Sequence, residues 1–171
     1  MTTRANDVDF RNLGEEHEET VKHWLRIHLR RHIGWWVASL GPAWALERID
    51  QHIDEKDLID QDWREMLADG ERADHFSTVV HKNDKPVGMV HGGVRIDRYL
   101  LGKKGFLGWI VVDEGQRGEG IGRLLMEWVD CWFRAEGTEL HELFVTQENE
   151  QAIGLYEAFG YRSVDVRMLR A

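Results

Sequence analysis

Apolar and polar residues alternate through Val8-Asp9-Phe10-Arg11-Asn12-Leu13, the period-two pattern of a strand. The period then lengthens. Gly14-Glu15-Glu16 opens a helix, with acidic side chains favourable at that end. Val21, Trp24, Leu25, His28 and Leu29 give it an apolar stripe. A second helix is expected after Pro42, with Trp44, Leu46, Ile49 and Ile53 on one side. A short third, Asp62 to Ala68, closes at the turn signal Asp69-Gly70. Strand-like patterning returns at Phe76 to His81, followed by the polar hairpin turn Asn83-Asp84-Lys85-Pro86 and a further strand from Val87 to Ile96. Leu100 to Gly105 reads as a loop, and Phe106 to Val112 as a strand buried on both faces.

The last third predicts a helix with Ile121, Leu124, Leu125, Trp128, Cys131, Trp132 and Ala135 in register, ending at Gly137. A strand from Glu139 to Thr146, a helix from Asn149 to Phe159 stopped by Gly160, and a final strand from Tyr161 to Leu169 complete the order. Strand, helices, then β-β-β-α-β-α-β implies an α/β (α+β) fold: a mixed sheet with helices on both faces. No repeat, low-complexity tract or linker divides the 171 residues, so 1–171 reads as one domain.

Charge narrows the partners. The chain carries 22 basic and 31 acidic residues, a net of −9, and most of the excess lies in residues 1–75. Without a basic face to displace counterions, nucleic acid is not an expected partner. No apolar run approaches the roughly 20 residues of a membrane span, and Met1 to Asp7 leads into no apolar signal core. Cys131 is the only cysteine, so neither an internal disulfide nor a cysteine-rich metal site is possible. A cytoplasmic location is the default, with a homodimer as one assembly open to the chain. The acidic first half is either a solvated surface or a field that draws in a cationic substrate.

The chemistry concentrates between the buried strand and the amphipathic helix, in Val111-Val112-Asp113-Glu114-Gly115-Gln116-Arg117-Gly118-Glu119-Gly120-Ile121-Gly122-Arg123. Glycines there permit a tight turn that leaves backbone N–H groups pointing outward at a helix N-terminus, a site suited to a pyrophosphate. The dinucleotide pattern G-x-G-x-x-G fails, because counting from Gly118 puts Arg123 at its last position. The P-loop fails too, because Ile121 and not lysine follows Gly120. What stands is R-x-x-G-x-G at Arg117, Gly120 and Gly122.

This turn resembles the pyrophosphate-binding turn of the GNAT acetyltransferases. Asn149-Glu150-Gln151-Ala152-Ile153-Gly154-Leu155-Tyr156-Glu157-Ala158-Phe159-Gly160-Tyr161 resembles that family's second signature, at the correct interval. The likeness covers residues 74–170 well and the first third in outline. It implies a GNAT fold with a mostly antiparallel sheet of six to seven strands, in which 1–75 forms an acceptor-side helical region and 76–171 binds acetyl-CoA. By that resemblance the backbones of Val111 and Val112 hold the pantetheine arm. Backbone N–H groups of Arg117, Gly118, Gly120, Ile121, Gly122 and Arg123 cradle the pyrophosphate. Asn149 caps a helix and contacts the arm, and Tyr156 is the general acid toward the departing thiolate. Apart from the family, Val111 and Val112 suit a core, Arg123 a solvated helix charge, Asn149 a plain N-cap and Tyr156 a packing role.

The implied reaction is direct acetyl transfer from acetyl-CoA to the primary amine of a small molecule, with an aminoglycoside, a polyamine or an amino acid as acceptor. Acetylation of protein N-termini or lysines, and a non-catalytic acyl-CoA-binding module, are the competing readings. The strand glutamate many relatives use as a base is missing from Phe106 to Val112. Glu142, His141, His91 and Asp97 are replacements to weigh. His28 and His32, four apart with His23 a turn back, have zinc-compatible spacing but no specified third ligand, so no metal is expected. Trp109, Trp128 and Trp132 read as core, Trp35 and Trp36 as core or substrate contacts, and Cys131 as buried.

Overall fold

The computed structural model describes residues 8–38, 46–99 and 102–168. Five strands form one sheet in sequence order: β1 (Val8–Asn12), β2 (His75–Lys82), β3 (Lys85–Asp97), β4 (Gly102–Val112) and β5 (Leu140–Leu143). β1 to β4 pair antiparallel and β5 joins β4 in parallel. β2 and β3 turn at Asn83-Asp84, both with positive φ (52° and 60°), the conformation of a two-residue hairpin whose twist matches its strands.

Helices cover both faces. α1 (Glu18–Ala38), α2 (Leu46–Glu55) and α3 (Leu58–Gly70) lie on one side, burying Trp24, Leu25, Ile49, Ile53, Trp63 and Met66 against Val79 and Met89 of the sheet. α4 (Ile121–Ala135) and α5 (Glu150–Ala158) lie on the other, with Leu125, Met126, Val129 and Phe133 packed on Val80, Val90 and Leu107. Pro42 and Trp44, expected at the start of the second helix, lie outside the described residues, as does Leu169.

The sheet opens where β4 and β5 part. Their pairing runs only from Lys104↔Leu140 to Leu107↔Leu143. One residue later the β3–β4 register slips: His91 faces Trp109 while Gly92 faces Leu107, so Gly108 is the extra residue of a β-bulge. A bulge bends its strand and sharpens the local twist. Here it carries Trp109 to Val112 onward with β3 and away from β5, leaving a cleft along one edge of β4.

Several expectations need correction. β4 begins at Gly102, not Phe106, because residues 102–105 pair with Val94 to Asp97. β5 ends at Leu143, short of Thr146, because the diverging β4 offers no further ladder. Residues 161–168 form no strand: no described neighbour pairs with them, and Val164, Val166 and Met168 are exposed. The sheet among the described residues therefore has five strands, not six or seven. Cys131 is exposed rather than buried. It stands two positions from both Val129 and Phe133, nearly opposite them on a helix of 3.6 residues per turn.

Candidate active site

A cavity of about 380 Å³ occupies the cleft, walled by α1, β4, the glycine-rich turn, the segment after β5 and α5. The turn is shaped by Gly118 (φ 79°) and Gly120 (φ 84°), in the left-handed region that glycine enters without a Cβ penalty. A Cβ at either would meet nothing within 4 Å, so the space above them is open for a ligand. The first bond of α4 runs from the Leu124 N–H to the Gly120 carbonyl at 3.0 Å. The N–H groups of Ile121, Gly122 and Arg123 thus have no carbonyl ahead of them in the helix, and they carry the positive end of its dipole. Such a donor set fits a pyrophosphate.

Two contacts brace the turn from α1. Asp113 accepts from the Gly115 N–H through Oδ1 at 2.9 Å and from the Trp24 indole through Oδ2 at 3.1 Å. Glu114 Oε1 receives Arg31 of α1 at 2.7 Å and Arg117 of the turn at 3.4 Å. Two guanidiniums thereby stand beside the N-terminus of α4. Arg123 turns its side chain back along the helix, to Glu127 at 3.0 Å and over the Phe159 ring.

Along the cleft, strand parity decides which backbone groups are free. The Asp113 N–H donates to the Val87 carbonyl at 2.9 Å, so residues 113 and 111 turn their backbone toward β3. Val111 therefore lines the cavity by its side chain while its peptide groups belong to the ladder. Val112 and Ile110 present N–H and C=O to the cleft. Ile110 is a gap-facing residue that periodicity could not single out, since choosing between odd and even positions needs the register.

On the far wall, Asn149 caps α5 by accepting the Ala152 N–H at 3.4 Å. Tyr156 lines the cavity and is only 7% exposed. Burial pushes its phenol up to about 12, so it keeps its proton at neutral pH.

The four candidate bases do not reach the cleft free. Glu142 pairs with Arg95 and with Lys104 at 2.6 Å, and Asp97 holds the same Lys104 at 2.5 Å. His91 bonds Ser77 through Nδ1 at 2.9 Å behind Gly108, and His141 bonds Thr138. Two histidines set aside at the sequence level line the cavity instead. His28 and His32 stack with ring centroids 4.1 Å apart, and His28 lies 4.6 Å from Trp109. His32 Nδ1 is 2.8 Å from Thr146 Oγ1. Burial, then His32, Arg31 and Arg117, push His28 down to about 3; burial and Arg31 lower His32. The signal was present: His28 lies on the Trp24–Leu25 stripe and His32 one turn on. Among the described residues no group of three or more His, Cys, Asp or Glu could hold a metal ion.

The sequence model of the Acetyltransferase (GNAT) family matches residues 36–161, which include the glycine-rich turn, Asn149 and Tyr156. The chain belongs to the GNAT acetyltransferases. Solved structures of similar fold include the aminoglycoside N-acetyltransferase AAC(6')-Iy in complex with CoA (16% identity, 99% of this chain and 97% of that one, TM-score 0.64). The PaiA N-acetyltransferase of Thermoplasma acidophilum in complex with coenzyme A shares 18% identity over 94% of this chain and 92% of its own (TM-score 0.70). The glucosamine-6-phosphate N-acetyltransferase of Arabidopsis thaliana shares 18% over 96% and 97% (TM-score 0.57). Comparison with curated protein sequences gives no significant match. No described helix is long and apolar enough to cross a membrane.

Proposed function

We propose that this GNAT protein transfers the acetyl group of acetyl-CoA directly to the primary amine of a small molecule. The observation that carries the reading is the continuity of one cavity from the α4 N-terminus, along the free edge of β4, to Tyr156. Backbone N–H groups of Arg117, Gly118, Gly120, Ile121, Gly122 and Arg123, with the Arg117 and Arg31 side chains close by, would hold the pyrophosphate. Ile110, Val112 and Asn149 would hold the pantetheine arm. Tyr156 would protonate the thiolate as the C–S bond breaks. A donor near the sulfur makes that expulsion easier.

The acceptor is a small amine without a requirement for high positive charge. Among the described lining residues Glu114 is the one carboxylate, and it already holds Arg31 and Arg117. Acidic side chains of the N-terminal helices are likewise met by neighbouring bases, as in Arg26–Asp54, Arg30–Asp50, Arg64–Asp57 and Lys22 with Glu18. The test is release of coenzyme A thiol across a panel of monoamines, polyamines, amino acids, aminosugars and aminoglycosides. At least one small amine is expected to give turnover above acetyl-CoA hydrolysis. Turnover only with peptide N-termini or lysines would move the acceptor to proteins, and binding of acetyl-CoA with no turnover would leave a binding module.

A further inference from the structure

Direct transfer needs a group to take the amine's proton, and β4 has no acid to offer. Resting on the acyl-transfer reading above, we propose that His32 of α1 is that proton acceptor, held by Thr146 and stacked on His28. Three geometric facts support it. His32 and His28 line the same cavity as Tyr156. Both stand near the bulge at which β4 leaves β5, His28 against Trp109 and His32 against Thr146, just beyond the end of β5. The carboxylates and imidazoles on β3 and β5 are engaged elsewhere.

The hydrogen bond at Nδ1 sets the role of the other nitrogen. With Nδ1–H donating to Thr146 Oγ1, Nε2 carries a lone pair and can accept a proton. In the transfer, the amine nitrogen bonds to the thioester carbonyl carbon and its surplus proton passes to His32 Nε2. The C–S bond then breaks, and the thiolate takes the Tyr156 phenolic proton. His32 afterwards loses its proton to water, from which Tyr156 is reprotonated.

The charged neighbours couple this base to the cosubstrate. Burial lowers both imidazoles most; Arg31 depresses both as well and Arg117 depresses His28, with Glu114 between the two guanidiniums. A pyrophosphate beside Arg31 and Arg117 would offset their positive field, making both imidazoles better proton acceptors once coenzyme A is bound.

Nitrogen-15 NMR of the imidazoles in the parent protein, with and without coenzyme A, tests the first half without an acceptor. At pH 7 His32 should be neutral with its proton on Nδ1, and coenzyme A should move its titration to higher pH. A proton resting on Nε2, or a titration unmoved by bound coenzyme A, would overturn the proposal. The second half is single-turnover acetyl transfer to the best amine of the panel. His32→Gln should lose about 10²-fold or more at pH 7, recovering as pH rises and the free amine becomes abundant, with the acetyl-CoA melting shift intact. Thr146→Val should lose less and shift the pH profile. A His32→Gln variant within twofold of the parent across the pH range overturns His32 alone. A parent that binds no acetyl-CoA overturns the acyl-transfer reading itself.

Discussion

The indole N–H of Trp24 on α1 donates to Oδ2 of Asp113 at 3.1 Å, while Oδ1 of the same carboxylate holds the Gly115 N–H. One side chain thus fastens α1 to the glycine-rich turn. Trp24 is 3% exposed, so its end of the bond is shielded from water. Trp24→Phe keeps an aromatic ring and removes the donor, which should cost about 1.5–3 kcal/mol for a hydrogen bond to a charged group. Because Asp113 also shapes the turn, acetyl-CoA affinity should fall together with stability. Chemical denaturation and calorimetric titration measure the two; an unchanged affinity would uncouple α1 from the turn.

Gly120 tests the cradle. At φ 84° a β-branched residue is strained, yet a Cβ there meets no neighbour within 4 Å. Gly120→Val should therefore stay folded, losing about 1–2 kcal/mol, while the rise in melting temperature caused by acetyl-CoA disappears. Gly154→Ala supplies the control, since that glycine sits inside α5 with nothing within 4 Å. It should gain about 0.5–1 kcal/mol and keep the shift. A Gly120→Val protein stabilised as much as the parent would place the pyrophosphate elsewhere.

Acid should destabilise the fold through its histidines. His28 is held near 3 and His91 near 4, and His32 and His81 are also lowered, in each case chiefly by burial. The folded state keeps these rings neutral, whereas the unfolded chain protonates them near the ordinary value of about 6.5. Their contribution is complete above that pH and is lost as pH falls toward 4 to 3. Asp62, raised to about 6 by burial and Glu65, works the opposite way between about 4 and 6 but is a single group. Melting temperature should decline steadily below about pH 6.5. A profile level to pH 4.5 would contradict the burial of the histidines.

His81 shows how tightly one of them is bound. His17 Nδ1 accepts the Gly14 N–H at 3.1 Å, so its Nε2 carries the proton and donates to His81 Nε2 at 3.2 Å. His81 must then hold its own proton on Nδ1, which is buried without a partner. Protonating His81 would set two N–H groups against each other. His81→Gln, by removing one titrating ring, should flatten part of the acid decline; an identical slope would assign the decline to the other histidines.

What was legible in the chain follows the range of the forces involved. Helix and strand periods, the left-handed turn at Gly118 and Gly120, and the Asn149 cap are local, and each is written in neighbouring residues. The Gly108 bulge, the free edge at Ile110 and Val112 and the early end of β5 depend on register between distant strands. The histidine pair lay between these cases. Spacing put His28 and His32 on adjacent turns of α1, but only packing against Trp109 and Thr146 showed that they share a cavity with Tyr156. The unpaired segment 161–168 has a strand's alternation but pairs with no strand among the described residues, which no single-segment pattern reveals.

Tyr156 is the remaining test of chemistry. Its phenol is buried, raised to about 12 and part of the cavity wall, so it is protonated at working pH and can donate to a thiolate. Tyr156→Phe keeps the ring in the core cluster it shares with Ile121 and Leu125 and deletes only the hydroxyl. If the hydroxyl protonates the departing sulfur, acetyl-CoA affinity should hardly change while the chemical step slows by about 10²–10⁴-fold. A packing tyrosine would instead cost a little stability and leave the rate near that of the parent. Product release can hide a slower chemical step in steady-state turnover, so single-turnover rates are the readout. Because a general acid must be protonated, the parent rate should not fall with pH until the phenol ionises, well above pH 9. The companion base adds the rising limb at lower pH. Tyr156→Phe should keep that limb while losing amplitude, whereas in His32→Gln the rise should move to higher pH, where the free amine itself becomes abundant. Parent-like single-turnover rates in Tyr156→Phe would remove the hydroxyl from the mechanism and leave thiolate expulsion to water.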